Sequence, residues 1–199
     1  MQKLVLASSN AKKLKELAAL LAPLGIEVLP QDAFGVPEAE EPHVTFVENA
    51  LAKARHAARH TGLPALADDS GLCVAALGGA PGVYSARYAG EPKSDARNNE
   101  TLLAALANVT DRRAHFVSTL VLVRHADDPQ PLIAEGEWHG EILREYRGEG
   151  GFGYDPLFFD PESGVASAEL PPEVKNQRSH RGKAMAALIA RLRAEADRS

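Results

Sequence analysis

Carboxylates and lysines are the residues of this chain whose types and spacing could do chemistry. Two adjacent carboxylates, Asp68 and Asp69, follow an apolar run and precede Ser-Gly. Like charges this close repel, so one carboxyl can have a raised pKa or serve as a base beside a metal ion. Ligands of open α/β sheets bind at the carboxyl ends of strands. We therefore expect the pair to lie where a strand over 64–67 ends, with Ser-Gly turning the chain.

Further carboxylates surround the start of a predicted helix. Glu38, Glu40 and Glu41 lie in an acidic loop that contains prolines, and Glu48 falls in the first turn of the helix that follows. Carboxylate oxygens suit a hard cation such as Mg²⁺, which also binds substrate phosphates. Glu38 and Glu40 are typical of a solvated loop. Glu48 either completes a capping box with Thr45 or belongs to a site, and the pattern leaves both open.

The segment SSNAKK, residues 8–13, places two lysines at the start of a helix. Backbone N–H groups at a helix start favour anions, and lysine adds a positive charge for phosphate. The segment lacks the G-x-x-x-x-G-K-[ST] pattern of a Walker A loop. By itself it is more typical of an ordinary N-cap and a solvated basic turn.

Two later segments could recognise a planar base. GGFGYDPLF combines flexible glycines with Phe152 and Tyr154, whose rings can stack. KNQRSHRGK presents His180 and Arg181 near the start of the last helix, although alone it is typical of a basic surface patch. Arginine offers a rigid fork of donors for carbonyl or phosphate oxygens. Together with the acids and lysines, these segments favour binding of a nucleoside triphosphate with Mg²⁺.

Alternating elements must position these motifs. We predict helices from about Lys12 to Pro23, from Thr45 to Gly62, and over 95–107 and 182–196. We predict strands over 3–7, 26–30, 64–67, 115–123 and 131–138, with a further strand over 140–145. The strand–helix–strand order at the start indicates a βαβ unit and an α/β sheet. An antiparallel ribbon later in the chain predicts a mixed sheet with two lobes and a cleft between them.

Composition narrows the class of protein. The 199 residues are 45% hydrophobic and 25% charged, which is ordinary for a folded globular chain. A formal net charge of -5 disfavours a surface built to grip nucleic acid. No apolar run approaches the roughly 18 residues of a membrane span, and the first residues lack the apolar stretch of about 7–15 found in signal peptides. We therefore expect a cytoplasmic protein without a membrane partner. The single cysteine excludes an intrachain disulfide.

The motifs occur in one order across nearly the whole chain, as SSNAKK, FVENALAKA, LADDSGL, GGAPGVYSARYAG, GGFGYDPLFF and SHRGKA. In this the chain resembles the inosine triphosphate pyrophosphatase (RdgB/HAM1) family, and it is most similar to bacterial members. The resemblance implies Mg²⁺-dependent hydrolysis of non-standard purine nucleoside triphosphates (dITP/ITP, XTP/dXTP) to the monophosphate and pyrophosphate. It also implies an elongated α/β homodimer whose single domain, 1–199, has two lobes and a central substrate cleft.

The resemblance further implies roles for individual residues. Asp69 is expected to activate water and, with Glu41, to bind Mg²⁺, while Asp68 supports the metal shell. Glu40 adjoins Glu41, and a shift of one residue in register would make it the ligand instead. Substrate contacts are expected from Ser8, Ser9, Asn10, Ala11, Lys12, Lys13, Lys53, Ser70, Phe152, Gly153, Tyr154, Asp155, Lys175, His180 and Arg181.

Selectivity is expected at position 6 of the purine. Hypoxanthine and xanthine carry an oxygen acceptor there, whereas adenine carries an amino donor. A cationic donor such as Arg181 or Lys175 would pair with the 6-oxygen of hypoxanthine or xanthine and would be left unpaired beside the amino group of adenine. A rival interpretation is a purine nucleotide-binding module without catalysis, which would keep SSNAKK and the aromatic loop but need no base.

Overall fold

The computed structural model describes residues 2–8 and 11–196, with the backbone alone at positions 12, 13 and 16. The helices in this part are α1 (Ala11–Leu21), α2 (Phe46–Thr61), α3 (Asp95–Ala105), α4 (Pro172–Arg178) and α5 (His180–Ala196). Its strands are β1 (Lys3–Leu6), β2 (Glu27–Pro30), β3 (Ala65–Val74), β4 (Arg113–Val123), β5 (Leu132–Ile142), β6 (Phe158–Asp160) and β7 (Val165–Ala166).

These described strands form one seven-stranded sheet in the order β2-β1-β3-β4-β5-β6-β7. Strand β1 pairs in parallel with β2 and β3, which the predicted βαβ unit requires. Strand β6 pairs antiparallel with β5 and β7. The predicted α/β fold with a mixed sheet is therefore confirmed. No helix in the described ranges is both long and apolar enough to cross a membrane.

The chain divides into two compact units. The first comprises Met1–Asp69, Thr119–Glu135 and Ala184–Ser199, and the second comprises Ser70–Ser118 and Gly136–Lys183. The prediction of a single domain with two lobes and a central cleft stays a prediction.

Alternating side chains give the first unit two apolar cores. On one face of the sheet, leucines of β1, β3 and β4 pack with leucines of α1 and α5. On the other face, Val5, Ala65 and Val121 pack against a stripe of alanines on α2. Because alanine is small, that stripe lets the helix lie close to the strands.

Local capping fixes the ends of α2. The Thr45 hydroxyl accepts a hydrogen bond from the Glu48 N–H at 3.3 Å and donates one to Oε2 of Glu48 at 2.6 Å. Gly62 ends the helix with φ +67°, and its N–H donates to the Ala58 carbonyl. The predicted helix is confirmed, and Glu48 takes part in its cap.

The core of the second unit is rich in aromatic residues. The rings of Phe116, Trp138 and Phe158 contact one another with centroids 4.6–6.4 Å apart. Leu102 and Leu106, from α3 and the residue that follows it, join this core. Buried Asp160 holds α4 in place by accepting two hydrogen bonds from the Arg178 guanidinium.

Several predicted boundaries were wrong. The strand predicted to end at residue 67 continues to Val74 as β3, so Asp68 and Asp69 lie inside a strand and Ser-Gly makes no turn. Leu72 and Val74, beyond the two aspartates, are both fully buried, which keeps the chain extended there.

Other differences lie in the second half of the chain. The separate strand predicted over 140–145 is the end of β5, which runs unbroken through Ile142. The last helix begins at His180 rather than at residue 182. Helix α4 was not predicted because its residues read as a polar surface segment after two prolines. Strands β6 and β7 were missed because they are only two or three residues long.

Candidate active site

Four charged side chains of the first unit, Glu41, Lys53, Asp68 and Asp69, form an acidic cluster. The Lys53 ammonium lies 2.5 Å from Oε1 of Glu41 and 3.3 Å from Oδ1 of Asp69. Helix α2 carries Lys53, β3 carries both aspartates, and the loop before α2 carries Glu41. The three elements thus bring Lys53 into contact with Glu41, 12 positions before it, and with Asp69, 16 positions after it.

Burial and excess negative charge perturb this cluster. Burial would lower the pKa of Lys53, but the carboxylates of Asp69, Glu41 and Asp68 together outweigh it and raise that pKa. Burial also raises the pKa of Asp69; Lys53 opposes that rise, Glu41 adds to it, and the net direction is upward. A carboxylate with a raised pKa is better suited to accept a proton near neutral pH.

The acidic cluster fits a hard cation. Oδ2 of Asp69 is buried and makes no hydrogen bond of ordinary geometry within the described residues. Two carboxylates already converge on one ammonium, so their oxygens are placed to share a positive charge. No three His, Cys, Asp or Glu side chains of the described part are grouped to hold a metal ion by themselves. One or two carboxylates completed by water and phosphate are a usual Mg²⁺ site.

The remaining predicted acids differ in their surroundings. The Asp68 side chain is buried, and its charge helps to raise the pKa of Lys53. Glu40 is exposed, whereas Glu41 is partly buried and pairs with Lys53. Between these two neighbours, Glu41 is therefore the one that joins the cluster.

Asn49 was missed at the sequence level, although it touches this cluster. Its side chain is only 2% exposed. Its Oδ1 accepts from the His43 N–H at 3.0 Å, and its Nδ2 donates to the His43 carbonyl at 3.2 Å. The amide clamps the acidic loop two residues after Glu41, and it also partly opposes the rise in the pKa of Asp69. The sequence signal for Asn49 was a polar residue one turn before Lys53 on the alanine-rich face of the helix, because a buried polar side chain needs hydrogen-bond partners.

Three side chains of the second unit, Phe152, Lys175 and Arg181, form an aromatic-cation cluster. The Lys175 ammonium lies 5.2 Å from the centroid of the Phe152 ring, and Cζ of Arg181 lies 5.1 Å from it. The ring is 57% exposed, which is unusual for a large apolar side chain. An exposed ring beside two cations is suited to stack on a planar base and to meet its oxygen atoms.

The buried Asp155 carboxylate holds members of the aromatic-cation cluster in place by hydrogen bonds. This residue is 5% exposed. Its Oδ2 accepts from the Phe152 N–H at 2.9 Å and from the Lys175 ammonium at 2.5 Å, and its Oδ1 accepts from the Ser167 hydroxyl at 2.7 Å. These contacts hold the aromatic ring and the lysine together.

Other predicted substrate contacts of the second unit have different environments. Tyr154 is buried, its hydroxyl donates to the Ser85 carbonyl at 2.7 Å, and burial raises its pKa. His180 stacks on Phe116 with centroids 4.9 Å apart. The Ser70 hydroxyl accepts from Nη2 of Arg181 at 3.3 Å.

The predicted phosphate loop is described only in part. Ser8 is partly buried and Ala11 begins α1. Ser9 and Asn10 lie outside the described residues, as do the side chains of Lys12 and Lys13. Their predicted contacts with phosphate stay predictions.

Known proteins resemble this chain over nearly its whole length. A protein of Aromatoleum aromaticum named dITP/XTP pyrophosphatase is 72% identical over 190 residues, which are 96% of each chain. One of the same name from Ralstonia nicotianae is 64% identical over 97% of this chain and 98% of its own. The structure of a HAM1 protein from Coxiella burnetii superposes with a TM-score of 0.95 at 52% identity, covering 98% of this chain and 100% of that one. The Staphylococcus aureus Ham1 protein has a TM-score of 0.91 at 41% identity, covering 97% and 99% of the two chains.

The model of the Ham1 family matches residues 4–191. That range includes the acidic cluster and the aromatic-cation cluster. It also includes all seven described strands except Lys3, the first residue of β1. The chain belongs to the Ham1 family.

Proposed function

We propose that this protein is a nucleoside triphosphate pyrophosphatase that hydrolyses dITP, XTP and their ribo or deoxyribo counterparts. The observation that carries the proposal is the Asp69 carboxylate, which pairs with Lys53 through one oxygen and has a buried second oxygen that makes no hydrogen bond of ordinary geometry in the described chain. Relatives that share up to 72% of their residues with this chain and bear the name dITP/XTP pyrophosphatase support it.

The proposed reaction is attack of water on the α-phosphorus. A new bond forms between the water oxygen and that phosphorus, and the phosphoanhydride bond to the β-phosphate breaks. Pyrophosphate leaves with the electron pair of that bond, and the proton of the water passes to Asp69. Lys53 offsets the negative charge of the phosphate oxygens as the reaction proceeds.

Mg²⁺ is the proposed cofactor. We assign it to Glu41 and Asp69, with Asp68 as a supporting charge. When bound, the ion supplies charge neutralisation at the phosphate oxygens.

Base recognition is assigned to the aromatic-cation cluster. Phe152 is proposed to stack on the purine, a contact worth about 1–3 kcal/mol for exposed aromatic platforms. Lys175 and Arg181 are proposed to donate to the 6-oxygen of hypoxanthine or xanthine. Adenine would leave such a donor unpaired, and an unpaired buried donor costs about 1–3 kcal/mol.

The test is a substrate panel. Purified protein with Mg²⁺ is incubated with dITP, XTP, dATP or dGTP, and the released pyrophosphate is measured. We expect release from dITP and XTP at a kcat/KM well above that for dATP, which lacks the 6-oxygen, and above that for dGTP, which shares the 6-oxygen and must be rejected through its 2-amino group. Equal release from all four would contradict the specificity, and orthophosphate in place of pyrophosphate would contradict the reaction.

A non-catalytic nucleotide-binding module is the second candidate. It would use the same aromatic-cation cluster, yet it gives no reason to bury Asp69 beside Lys53. Binding of dITP in the presence of Mg²⁺ with no turnover would favour it.

We also propose a cytoplasmic homodimer that binds neither nucleic acid nor membrane. The family resemblance supports the dimer, and the net charge of -5 supports the absence of a nucleic-acid partner. Light scattering coupled to gel filtration measures the assembly, and a monomer mass would contradict it.

A further inference from the structure

Helix α3 holds the residue next to Phe152 from both sides of its backbone. Oδ2 of Asp95 accepts from the Gly153 N–H at 2.8 Å. Nδ2 of Asn99 donates to the Gly153 carbonyl at 2.8 Å. Asp95 and Asn99 lie one turn apart on the same face of the helix, so one rigid element fixes both polar groups of this glycine.

Without such contacts the loop would be free to move. Gly151 and Gly153 adopt φ values of +76° and +61°, and glycine visits many backbone conformations at little cost. Asp155 secures the neighbouring groups, since its carboxylate accepts from the Phe152 N–H and its own N–H donates to the Phe152 carbonyl at 3.2 Å. Asp95 and Asn99 complete this set at the next residue.

Helix capping does not explain Asp95. Ser94 already caps α3, because its hydroxyl accepts from the Arg97 N–H at 3.3 Å. The Asp95 carboxylate is instead directed to a glycine 58 positions along the chain. A bond to a charged acceptor is among the stronger hydrogen bonds of proteins.

Asn99 makes its contact at a cost. The side chain is 3% exposed, and its Oδ1 is buried with no hydrogen-bond partner among the described residues. A buried acceptor without a partner destabilises the folded chain. Flipping the amide would set Oδ1 against the Gly153 carbonyl, so the orientation serves the loop rather than the side chain itself.

We infer that Asp95 and Asn99 are positioning residues that hold the Phe152 ring ready to stack on the purine of the substrate. The inference rests on the proposed function, which assigns the base to this ring. A ring on a pre-ordered loop loses less conformational freedom on binding than one on a mobile glycine loop, and so binds more tightly. The role concerns substrate affinity and leaves the Asp69 chemistry unchanged.

The experiment compares Asn99→Ala with Asn98→Ala, its neighbour on α3. Asn98 is buried to a similar extent, at 2% exposure, and clamps a different loop by accepting from the Ala89 N–H and donating to the Ala86 carbonyl. We expect Asn99→Ala to raise KM for dITP about 10-fold, a loss of about 1.4 kcal/mol, with kcat within about threefold of wild type. Asn98→Ala should lower the melting temperature comparably and leave KM within about twofold.

Two further readouts make the test specific. Amide hydrogen exchange of residues 150–154 should accelerate in Asn99→Ala but not in Asn98→Ala. Asp95→Ala removes the acceptor of the Gly153 N–H and should weaken dITP binding. Asp95→Asn keeps an oxygen acceptor there, so its affinity for dITP should stay close to that of wild type.

Binding of inosine 5′-monophosphate, followed by titration calorimetry, separates the inference from the proposed reaction. If wild type binds this nucleotide but releases no pyrophosphate from dITP, the proposed reaction fails while the predicted affinity loss of Asn99→Ala still decides the inference. Equal effects of Asn98→Ala and Asn99→Ala on affinity would overturn the positioning role. A wild-type protein that binds no inosine nucleotide would overturn it as well.

Discussion

The ammonium of Lys53 lies 3.3 Å from Oδ1 of Asp69, and the other oxygen of that carboxylate is buried and makes no hydrogen bond of ordinary geometry within the described residues. One lysine thus serves a cluster that holds more negative than positive charge. This imbalance raises the pKa of Lys53 against the effect of burial, whereas the pKa of Asp69 is raised chiefly by burial, with a further contribution from Glu41.

Asp69→Asn removes the proposed base while keeping the shape of the side chain. We expect kcat for dITP to fall by about 10²–10⁴-fold, the range typical of a lost general base, with a smaller change in KM. Pyrophosphate release measures it. Glu38→Gln, in the exposed acidic loop, is the control and should keep wild-type kcat. Turnover that persists in Asp69→Asn would mean that another group takes the proton.

Phe152→Leu keeps an apolar side chain but removes the stacking surface. Base stacking on aromatic side chains contributes about 1–3 kcal/mol, so KM should rise by about 5- to 150-fold. Steady-state kinetics with dITP measure this rise. Phe34→Leu changes another exposed phenylalanine, 43% accessible, and should leave KM unaltered. An unchanged KM in Phe152→Leu would show that the ring does not contact the base.

Arg181→Met should narrow the discrimination between oxo and amino purines. The guanidinium lies over the Phe152 ring and donates to Ser70, so its loss removes a donor from the proposed base site. We expect kcat/KM for XTP and dITP to fall about 10²-fold and that for dATP to fall less. Arg193→Met, in the last turn of α5, provides the exposed-arginine control. A parallel fall for all three nucleotides would argue against a role in reading the base.

Asn49→Ala should loosen the loop that carries Glu41. Both hydrogen bonds to the His43 backbone are lost, which we expect to lower the free energy of unfolding by about 2 kcal/mol. The His43 amide should exchange faster, and half-saturation by Mg²⁺ should need several-fold more metal. Hydrogen exchange and Mg²⁺ titration measure these effects, with the exposed Asn108→Ala as control. An unchanged Mg²⁺ requirement would restrict Asn49 to stability alone.

Asp128→Asn tests an ion pair outside the candidate site, between the buried Asp128 carboxylate and the exposed Arg124 guanidinium. The Arg124 guanidinium, assisted by the N–H groups of Arg124 and Gln130, holds the pKa of Asp128 well below its usual range. A depressed folded-state pKa contributes stability that is present above the unfolded value of about 3.9 and is lost as pH falls below it. We therefore expect Asp128→Asn to lose about 2–3 kcal/mol at pH 7 and to show a flatter decline in acid.

Chemical denaturation from pH 7 to pH 2 measures that profile. Asp127→Asn is the matched control, because the Asp127 side chain is 90% exposed and its contact with Arg59 is long at 3.7 Å. Exposed pairs of this kind contribute little. If both variants showed the same acid profile, the Arg124–Asp128 pair would not be the source of the pH dependence.

Features encoded by neighbouring residues were predictable from the sequence. Thr45, Glu48 and Gly62 mark the two ends of α2 by local hydrogen bonding, and both ends are where the pattern indicates. The length of β3 was not predicted, because Asp-Ser-Gly is typical of turns whereas the burial of Leu72 depends on a core built by distant segments. Tertiary packing overrode local propensity there.

The candidate site was predictable in kind but not in its contacts. Carboxylates and lysines were identifiable by type, yet the pairing of Lys53 with Glu41 rather than Glu40 depends on how the loop folds back on α2. The hydrogen bonds of Asp95 and Asn99 to Gly153 join residues more than fifty positions apart, so no local sequence pattern predicts them. Such contacts require the fold to be known first.

Strand β3 passes from the first compact unit to the second between Asp69 and Ser70 without leaving the extended conformation. Successive side chains of a strand face opposite sides, and at the end of β3 Leu72 and Val74 are buried while Cys73 between them is only partly so. One residue inserted after Asp69 would invert that alternation for Leu72 and Val74, which lie in the second core. The length of this short segment therefore matters as much as its carboxylates. A substitution changes one side chain, whereas a single insertion or deletion would turn every later side chain of the strand to the opposite face of the sheet.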